Sequence, residues 1–447
     1  MAASACSPKN LEEALIWYAI TATWTVYLFG GLYILAPALG WILLLWAGFK
    51  AYVAGPETRP SERVSIPAGA WIWIIGMAVM FVALIAGHVG NGLGLAKTLK
   101  SSIGWAKGWA LMAIFPAAGA MLQIRPQILY RASCRLGRQT LFLLPLFLIA
   151  PVIGLPSALF VSPLQIVSGP GANFFEVQLY GEHVGTGVPR WRFFAPWAPA
   201  AGFVANIYLI FALNERDRYW KMVGIIAAVA MCLMAQSRLA LVAMMIVPLV
   251  TIGLSRLTHI WVQITGAFAV TGLGLIAQWL IELADTAQAE FAAQRADSSR
   301  VRSALARIAY ERWKNEAPVW GHGIVENGSH IVEKMAIGSH HSWFGLLFVK
   351  GIVGFGALLI PMAWSFLEML AKAQSSRSAR VGLATVLIFF LYTFGENLEI
   401  LVYLFWPALI ILGRAMREPL KNPLRPPFTG RRSDQPLEQT PAPEAPS

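Results

Sequence analysis

Apolar residues run in continuous blocks along most of this chain, and short polar, glycine- or proline-bearing segments separate them. A helix needs about 20 apolar residues to cross a bilayer. The blocks predict spans at roughly 13–31, 34–50, 66–88, 105–124, 140–160, 196–213, 219–236, 238–254, 260–281, 342–368, 380–395 and 398–413. The first two read as a tight hairpin around Gly30, Gly31 and Pro37. The expected fold class is all-α, a polytopic transmembrane helical bundle of about twelve spans, since helices satisfy their own backbone groups in lipid. Four segments follow: spans one to nine in 1–281, a large loop at 282–341, three spans in 342–413, and a tail at 414–447. The tail is rich in Pro, Arg and Gln and is expected to be disordered. No internal repeat stands out.

Composition narrows the class. Of the 447 residues, 57% are hydrophobic and 13% charged, against about 25% charged in average soluble chains. That excludes a soluble globular enzyme, a coiled coil and a disordered chain. The net charge of +12 would suggest nucleic acid in a soluble protein. In a membrane protein, Lys and Arg first report orientation, so no nucleic-acid partner is expected. Placing the N-terminus inside puts Lys50, Arg125, Arg131, Arg135, Arg138, Arg216, Arg218, Lys221 and Lys372 in the cytoplasm with the tail arginines, which gives an N-in, C-in topology. The N-terminus carries Glu12 and Glu13 where a signal peptide needs bases, so cleavage is not expected. Cys6, Cys134 and Cys232 are too scattered for a disulfide framework or a zinc site.

In this topology every histidine except His259 falls outside or at the outer interface: His88, His183, His322, His330, His340 and His341. Imidazole exchanges protons near neutral pH, so chemistry is expected on the outer face. Arg190 and Arg192 precede the sixth span, and Arg238 opens the eighth, where charge is costly unless it faces a cavity or a partner. The segment SSRVRSALARIAYERW places Val301, Leu305, Ile308 and Arg312 on one helical stripe and Arg300, Ser303, Arg307 and Tyr310 on the other. It reads as an amphipathic helix lying on the membrane with an arginine face. Guanidinium groups grip phosphate oxygens bidentately, so arginines near the headgroup plane can hold a diphosphate. Arg307 and Arg312 read as headgroup contacts, and Lys97, Lys100 and Lys107 as snorkelling interfacial residues. His322 and His330 read as loop residues, and Glu396 and Glu399, between the last two spans, as an acceptor site or ordinary loop residues, with the loop reading favoured. The aspartates, Asp217, Asp285, Asp297 and Asp434, never form a DxD pair, so arginine and not metal is expected to balance phosphate charge. The histidine spacings match no zinc frame, and HExxH, GxxxxGK[ST] and GxSxG are all missing.

The most informative stretch is APVWGHGIVENGSHIVEKMAIGSHHSWFGLLFVKGIVGFG, residues 317–356. Gly321 and Gly323 bracket His322 in a turn. His340 and His341 fall where the chain re-enters the membrane, and Gly351 and Gly354 follow in the next span. With an Arg-led helix before it, this stretch resembles the O-antigen ligase and polysaccharide polymerase family of bacterial multi-span glycosyltransferases. That pattern runs P-x-x-G-x-G, then H-N-x-aromatic-L, then G-x-x-G eleven residues past the His. Arg300, Pro318, Gly321, Gly323, His340, Trp343, Gly351 and Gly354 match it. The Ser237–Arg238 pair resembles an S-R span opening, and Arg190 or Arg192 the arginine before a P-N motif. The chain departs from the pattern where His341 replaces Asn and where Pro196 is followed by Trp197.

The resemblance implies transfer of a glycan from an undecaprenyl-diphosphate carrier to a sugar acceptor on the periplasmic face of the bacterial inner membrane. The acceptor would be lipid A core in a ligase, or a second lipid-linked repeat unit in a polymerase. It implies His340 as general base, Arg190, Arg192, Arg238 and Arg300 as diphosphate ligands, and His341, Gly321 and Gly323 in support, with no metal and no cofactor. The competing expectation is a polysaccharide or lipid-linked oligosaccharide transporter or flippase, or a non-catalytic scaffold.

Overall fold

Asn10 accepts the Glu13 N–H at 2.9 Å, which caps the first helix, α1 (Leu11–Thr21). The computed structural model describes residues 6–54, 65–167, 171–182, 187–279, 282, 296–328, 335–338 and 341–420, the side chains of 296–299 and 302 aside. The Thr21 and Thr23 hydroxyls bond back to the carbonyls of Trp17 and Ile20 at 2.8 Å each, competing with the helix ladder. The chain breaks there and resumes as α2 (Thr23–Leu28). Gly30, at φ +67°, turns it into α3 (Leu32–Val53). The predicted hairpin is present, but its first arm is two helices and Pro37 lies inside α3. Glu12 pairs with Lys50 at 2.6 Å and Glu13 with Arg125 at 2.6 Å, which ties α1 to α3 and to the approach to α7.

After α4 (Ala68–Gly90) the run predicted at 105–124 is two helices, α5 (Leu95–Lys107) and α6 (Leu111–Met121), because Gly108 leaves helical geometry between them. α7 (Pro126–Ile149) starts well before the predicted position 140. Its first turns carry arginines, which read as a loop by hydropathy, yet Arg131 is buried. Its guanidinium forks onto Glu215 at 3.0 Å and 3.0 Å, with Asp217 at 3.9 Å. Leaving one member of such a pair buried alone is expensive. We expect Glu215→Gln to lower unfolding free energy in detergent by about 3 kcal/mol, and Arg131→Met combined with Glu215→Leu to regain most of it; equal losses in both variants would contradict this.

The segment before α8 forms two small antiparallel pairs: β1 (Ala158–Val161) with β2 (Glu176–Gln178), and β3 (Gly181–Glu182) with β4 (Pro189–Arg190). The fold is therefore mostly helical and not strictly all-α. Then come α8 (Ala198–Asn214), α9 (Arg218–Met234), α10 (Arg238–Leu254), α11 (Ile260–Leu275), α12 (Ala296–Glu316), α13 (Ser342–Ala373), α14 (Arg377–Thr393) and α15 (Leu398–Met416). α15 runs to Met416, past the predicted end at 413.

α15 is the central helix, buried along nearly its whole length. α6 packs tightly on it where Gly119 meets the Ile410 backbone and Gly413 meets the Pro116 backbone, with no room for a Cβ on either glycine. α13 lies along α4, with Gly76 against Ala357 and Pro361. The outward faces are apolar: Leu45 and Phe49 on α3, Trp71 and Ile75 on α4, Met245 and Leu249 on α10, Trp261 and Phe268 on α11. Exposed apolar area on this scale does not suit water. α3, α4, α13 and α15 are long and apolar enough to cross a membrane; α8, α10 and α11 are apolar but shorter. Several helices could thus span a bilayer, consistent with a membrane protein. The starts of α8, α10, α13 and α15 and the ends of α9 and α14 gather at one end of the bundle, called here the site end.

Candidate functional site

At the site end α13 is broken. Gly351 sits at φ 62°, ψ −165°, outside helical space, so carbonyls before the break and N–H groups after it lose their usual partners. Residues 318–323 supply them. The N–H of His322 donates to Phe348 O at 2.8 Å and that of Gly323 to Val349 O at 2.9 Å, while Ile352 N–H donates to Pro318 O at 3.0 Å and Val353 N–H to Val319 O at 3.3 Å. The loop acts as a strand laid into an opened helix, a geometry tolerated at membrane depth only where such groups are re-paired. The glycines follow from this. Gly321, at φ +70°, leaves no room for a Cβ against Lys350 N at 2.5 Å, and at Gly351 a Cβ would strike the Val319 carbonyl. Gly323 meets the Gly87 backbone, and Gly354 makes space for the Lys350 stem. Pro318, Gly321, Gly323, Gly351 and Gly354 are thus brought together.

α12 leads into this loop. Val301, Leu305 and Ala309 are buried with Ile337 and Phe348, and Ile308 packs partly against them. Arg300, Ser303, Arg307 and Tyr310 are exposed. The two predicted stripes hold, but the apolar one rests on the protein's own residues. Arg312 departs from its reading as a headgroup contact: its Nε–H is shared between the two Glu316 carboxylate oxygens at 3.0 Å and 2.9 Å, its Nη1 donates to Glu326 at 2.6 Å, and it lies 5.1 Å from the Phe348 ring centre. Arg312, and after it His322, hold the Glu316 carboxyl down to about 2. His322 is buried and not a surface loop residue. It stacks on Phe348 at 4.3 Å, with Nδ1 3.0 Å from Phe348 O and Nε2 2.8 Å from Glu316.

His340 and His330 lie outside the described residues, as does His183. His341 caps α13: the Phe344 N–H donates to its Nδ1 over a long 3.5 Å. That contact leaves the ring proton on Nε2, and burial pushes the imidazole down to about 4. A neutral ring whose lone pair faces the helix cannot accept a proton from substrate through Nε2, so a supporting role suits it. The unfolded chain protonates His341 near its ordinary 6.5 and the folded chain only near 4. Its contribution to stability is therefore full above 6.5 and is lost as pH falls through 4. We expect the thermal midpoint to fall across that window, and His341→Asn, which keeps a capping side chain, to flatten the fall. An unchanged profile in His341→Asn would contradict this.

Arg190 sits on β4 and donates through Nε to Ala235 O at 2.9 Å and through Nη2 to Gln236 O at 3.4 Å. Those carbonyls belong to the turn that opens α10, where Gln236 has φ +48° and Ser237 caps the helix at Ala240. The same turn carries exposed Arg238, so Arg190 and Arg238 are brought to one place. Arg192 donates to Pro196 O at 2.6 Å and faces Glu176 at 3.6 Å. Exposed Arg300 lies on α12, which packs on α13.

The turn between α14 and α15 links these parts. Glu396 is buried; its carboxylate accepts from Trp197 at 2.8 Å and its carbonyl from the Ser342 hydroxyl at 2.7 Å. Ser342 Oγ in turn accepts from the Leu398 N–H at 3.1 Å. The His341 ring meets Phe394 edge-on at 5.5 Å, and Gly395 abuts Leu239, the neighbour of Arg238. Glu396, which the sequence offers as an acceptor-site residue or an ordinary loop residue with the loop reading favoured, is thus a candidate, and its partners stand far along the chain. Lys350 is also buried, within electrostatic reach of Glu399 on α15. Among the described residues no group of three or more His, Cys, Asp or Glu side chains is placed to hold a metal ion. Comparison of the chain with protein-family models and with curated proteins gives no match.

Proposed function

We propose that the chain is a bacterial inner-membrane glycosyltransferase of about twelve spans, N-in and C-in, with this end facing the periplasm. It moves a glycan from an undecaprenyl-diphosphate carrier to a sugar hydroxyl. One observation supports the reading most. The loop through Pro318, Gly321 and Gly323 seats in the break at Gly351, about two and a half turns into the helix whose start follows one peptide bond after His340. That helix start adjoins the turns bearing Glu396 and Arg238.

In this reading His340 takes the proton of the acceptor hydroxyl as its oxygen attacks the anomeric carbon. The bond from that carbon to the phosphate oxygen breaks, the electron pair leaves with the diphosphate, and the configuration inverts. Arg190, Arg192, Arg238 and Arg300 meet the growing negative charge. His341 holds the helix start, and Gly321 and Gly323 keep the loop docked. No cofactor enters the scheme.

The test is reconstitution in proteoliposomes with a lipid-linked repeat unit and, in parallel, lipid A core or a second lipid-linked repeat as acceptor. A single addition to core identifies a ligase, a ladder of repeats a polymerase, and no glycosidic product with either acceptor contradicts the proposal. A second reading, a lipid-linked oligosaccharide translocator, draws on the burial of Lys350 near Glu399, because charge inside a bundle often marks a transport path. The transferase reading expects Lys350→Met to keep transfer within about tenfold of the parent protein; the translocator reading expects movement of the lipid-linked glycan to stop.

A further inference from the structure

At the opposite end of the bundle the geometry points to a second site, independent of the proposed transfer reaction: a clamp for a phosphate oxyanion formed by Arg135 and Arg138 on α7. Residues 131, 135 and 138 share one helical face. Their guanidinium carbons lie 5.6, 5.5 and 4.9 Å from the centre of a single ring, that of Trp220 at the start of α9. Arg135 also lies 4.7 Å from the Trp17 ring. Three cations around one indole repel each other unless anions balance them. Arg131 is balanced by Glu215 and Asp217. The nearby acids Glu12 and Glu13 are paired with Lys50 and Arg125. Among the described residues no acid pairs with Arg135 or Arg138, and both are exposed.

Both guanidinium groups lie against these rings and are exposed to solvent. Guanidinium forks take phosphate oxygens bidentately. Arg218 and Lys221 stand on either side of Trp220 in sequence and add positive charge, while Asp217 caps the start of α9 by accepting the Trp220 N–H at 3.2 Å. Two sources fit this chemistry, a phospholipid headgroup and a soluble phosphate. A topological role alone, with basic residues marking the cytoplasmic side, needs only charge, and lysine would serve it equally well.

The experiment is thermal unfolding of the full chain in a neutral detergent. One arm adds phosphatidylglycerol, with phosphatidylcholine as its control. The other adds inorganic phosphate, with chloride at matched ionic strength. We expect a rise of about 3 °C in at least one arm. A rise with phosphatidylglycerol alone identifies a headgroup, and a rise with inorganic phosphate identifies the free anion as sufficient. The Arg135→Lys, Arg138→Lys double variant keeps charge without the fork and loses most of the rise. Trp220→Leu keeps both arginines but releases them from the ring, and loses it as well. No rise in either arm, or an equal rise in either variant, overturns the proposal.

Discussion

Replacing Gly351 by alanine is expected to lower the unfolding free energy by about 4 kcal/mol or more, read as a large fall in the detergent thermal midpoint and in the yield of folded protein. Two costs add. The backbone at φ 62°, ψ −165° is nearly closed to an L side chain, and the new Cβ would strike the Val319 carbonyl. The only relief is to expel residues 318–323 from the break, which would strand the carbonyls of Phe348 and Val349 and the N–H groups of Ile352 and Val353. Gly356, in the same helix, faces open space where a methyl group would stand. Gly356→Ala should change stability by no more than about 0.5 kcal/mol. Similar losses at both positions would contradict this account, because alanine is the better helix former and has no cause to destabilise the open helical site at Gly356.

Replacing His340 by alanine is expected to cut glycan transfer by about a thousandfold, in the range typical of a lost general base, with the thermal midpoint unchanged. His341→Asn should keep most of the activity, because His341 spends its lone pair on the Phe344 N–H and burial holds it neutral. The contrast between neighbouring histidines makes the experiment informative. If His341→Asn is inactive and His340→Ala is not, the roles are exchanged; if both are fully active, the base lies elsewhere, and buried Glu396, which accepts from Trp197, becomes the group to test.

Features repeating at short range are the ones legible in the sequence. The split of α12 into a buried stripe at Val301 and Leu305 and an exposed one at Arg300, Ser303, Arg307 and Tyr310 follows from helical periodicity alone. The apolar blocks that form α3, α4, α13 and α15 follow from run length. Features set by distant partners are not legible. The first turns of α7 look like a basic loop until Glu215 is placed against Arg131. Arg312 and His322 look like surface residues until Glu316, Glu326 and Phe348 surround them. The glycines at 321, 323, 351 and 354 are visible as a pattern, but the reason for their spacing is a backbone pairing between a loop and a broken helix. The position of Glu396 between the last two spans is visible in the sequence, but its burial is not, since Trp197 and Ser342 reach it from other parts of the chain.

The central claim is that this chain forms a glycosidic bond and does not carry its lipid-linked glycan across the membrane. One assay addresses both: proteoliposomes holding a labelled lipid-linked repeat in a single leaflet, with acceptor present, scored together for new glycan product, released undecaprenyl diphosphate and label reaching the other leaflet. Product and released diphosphate in equal amounts, with no faster crossing than in empty vesicles, is the result expected here. Label that crosses without any product would contradict it.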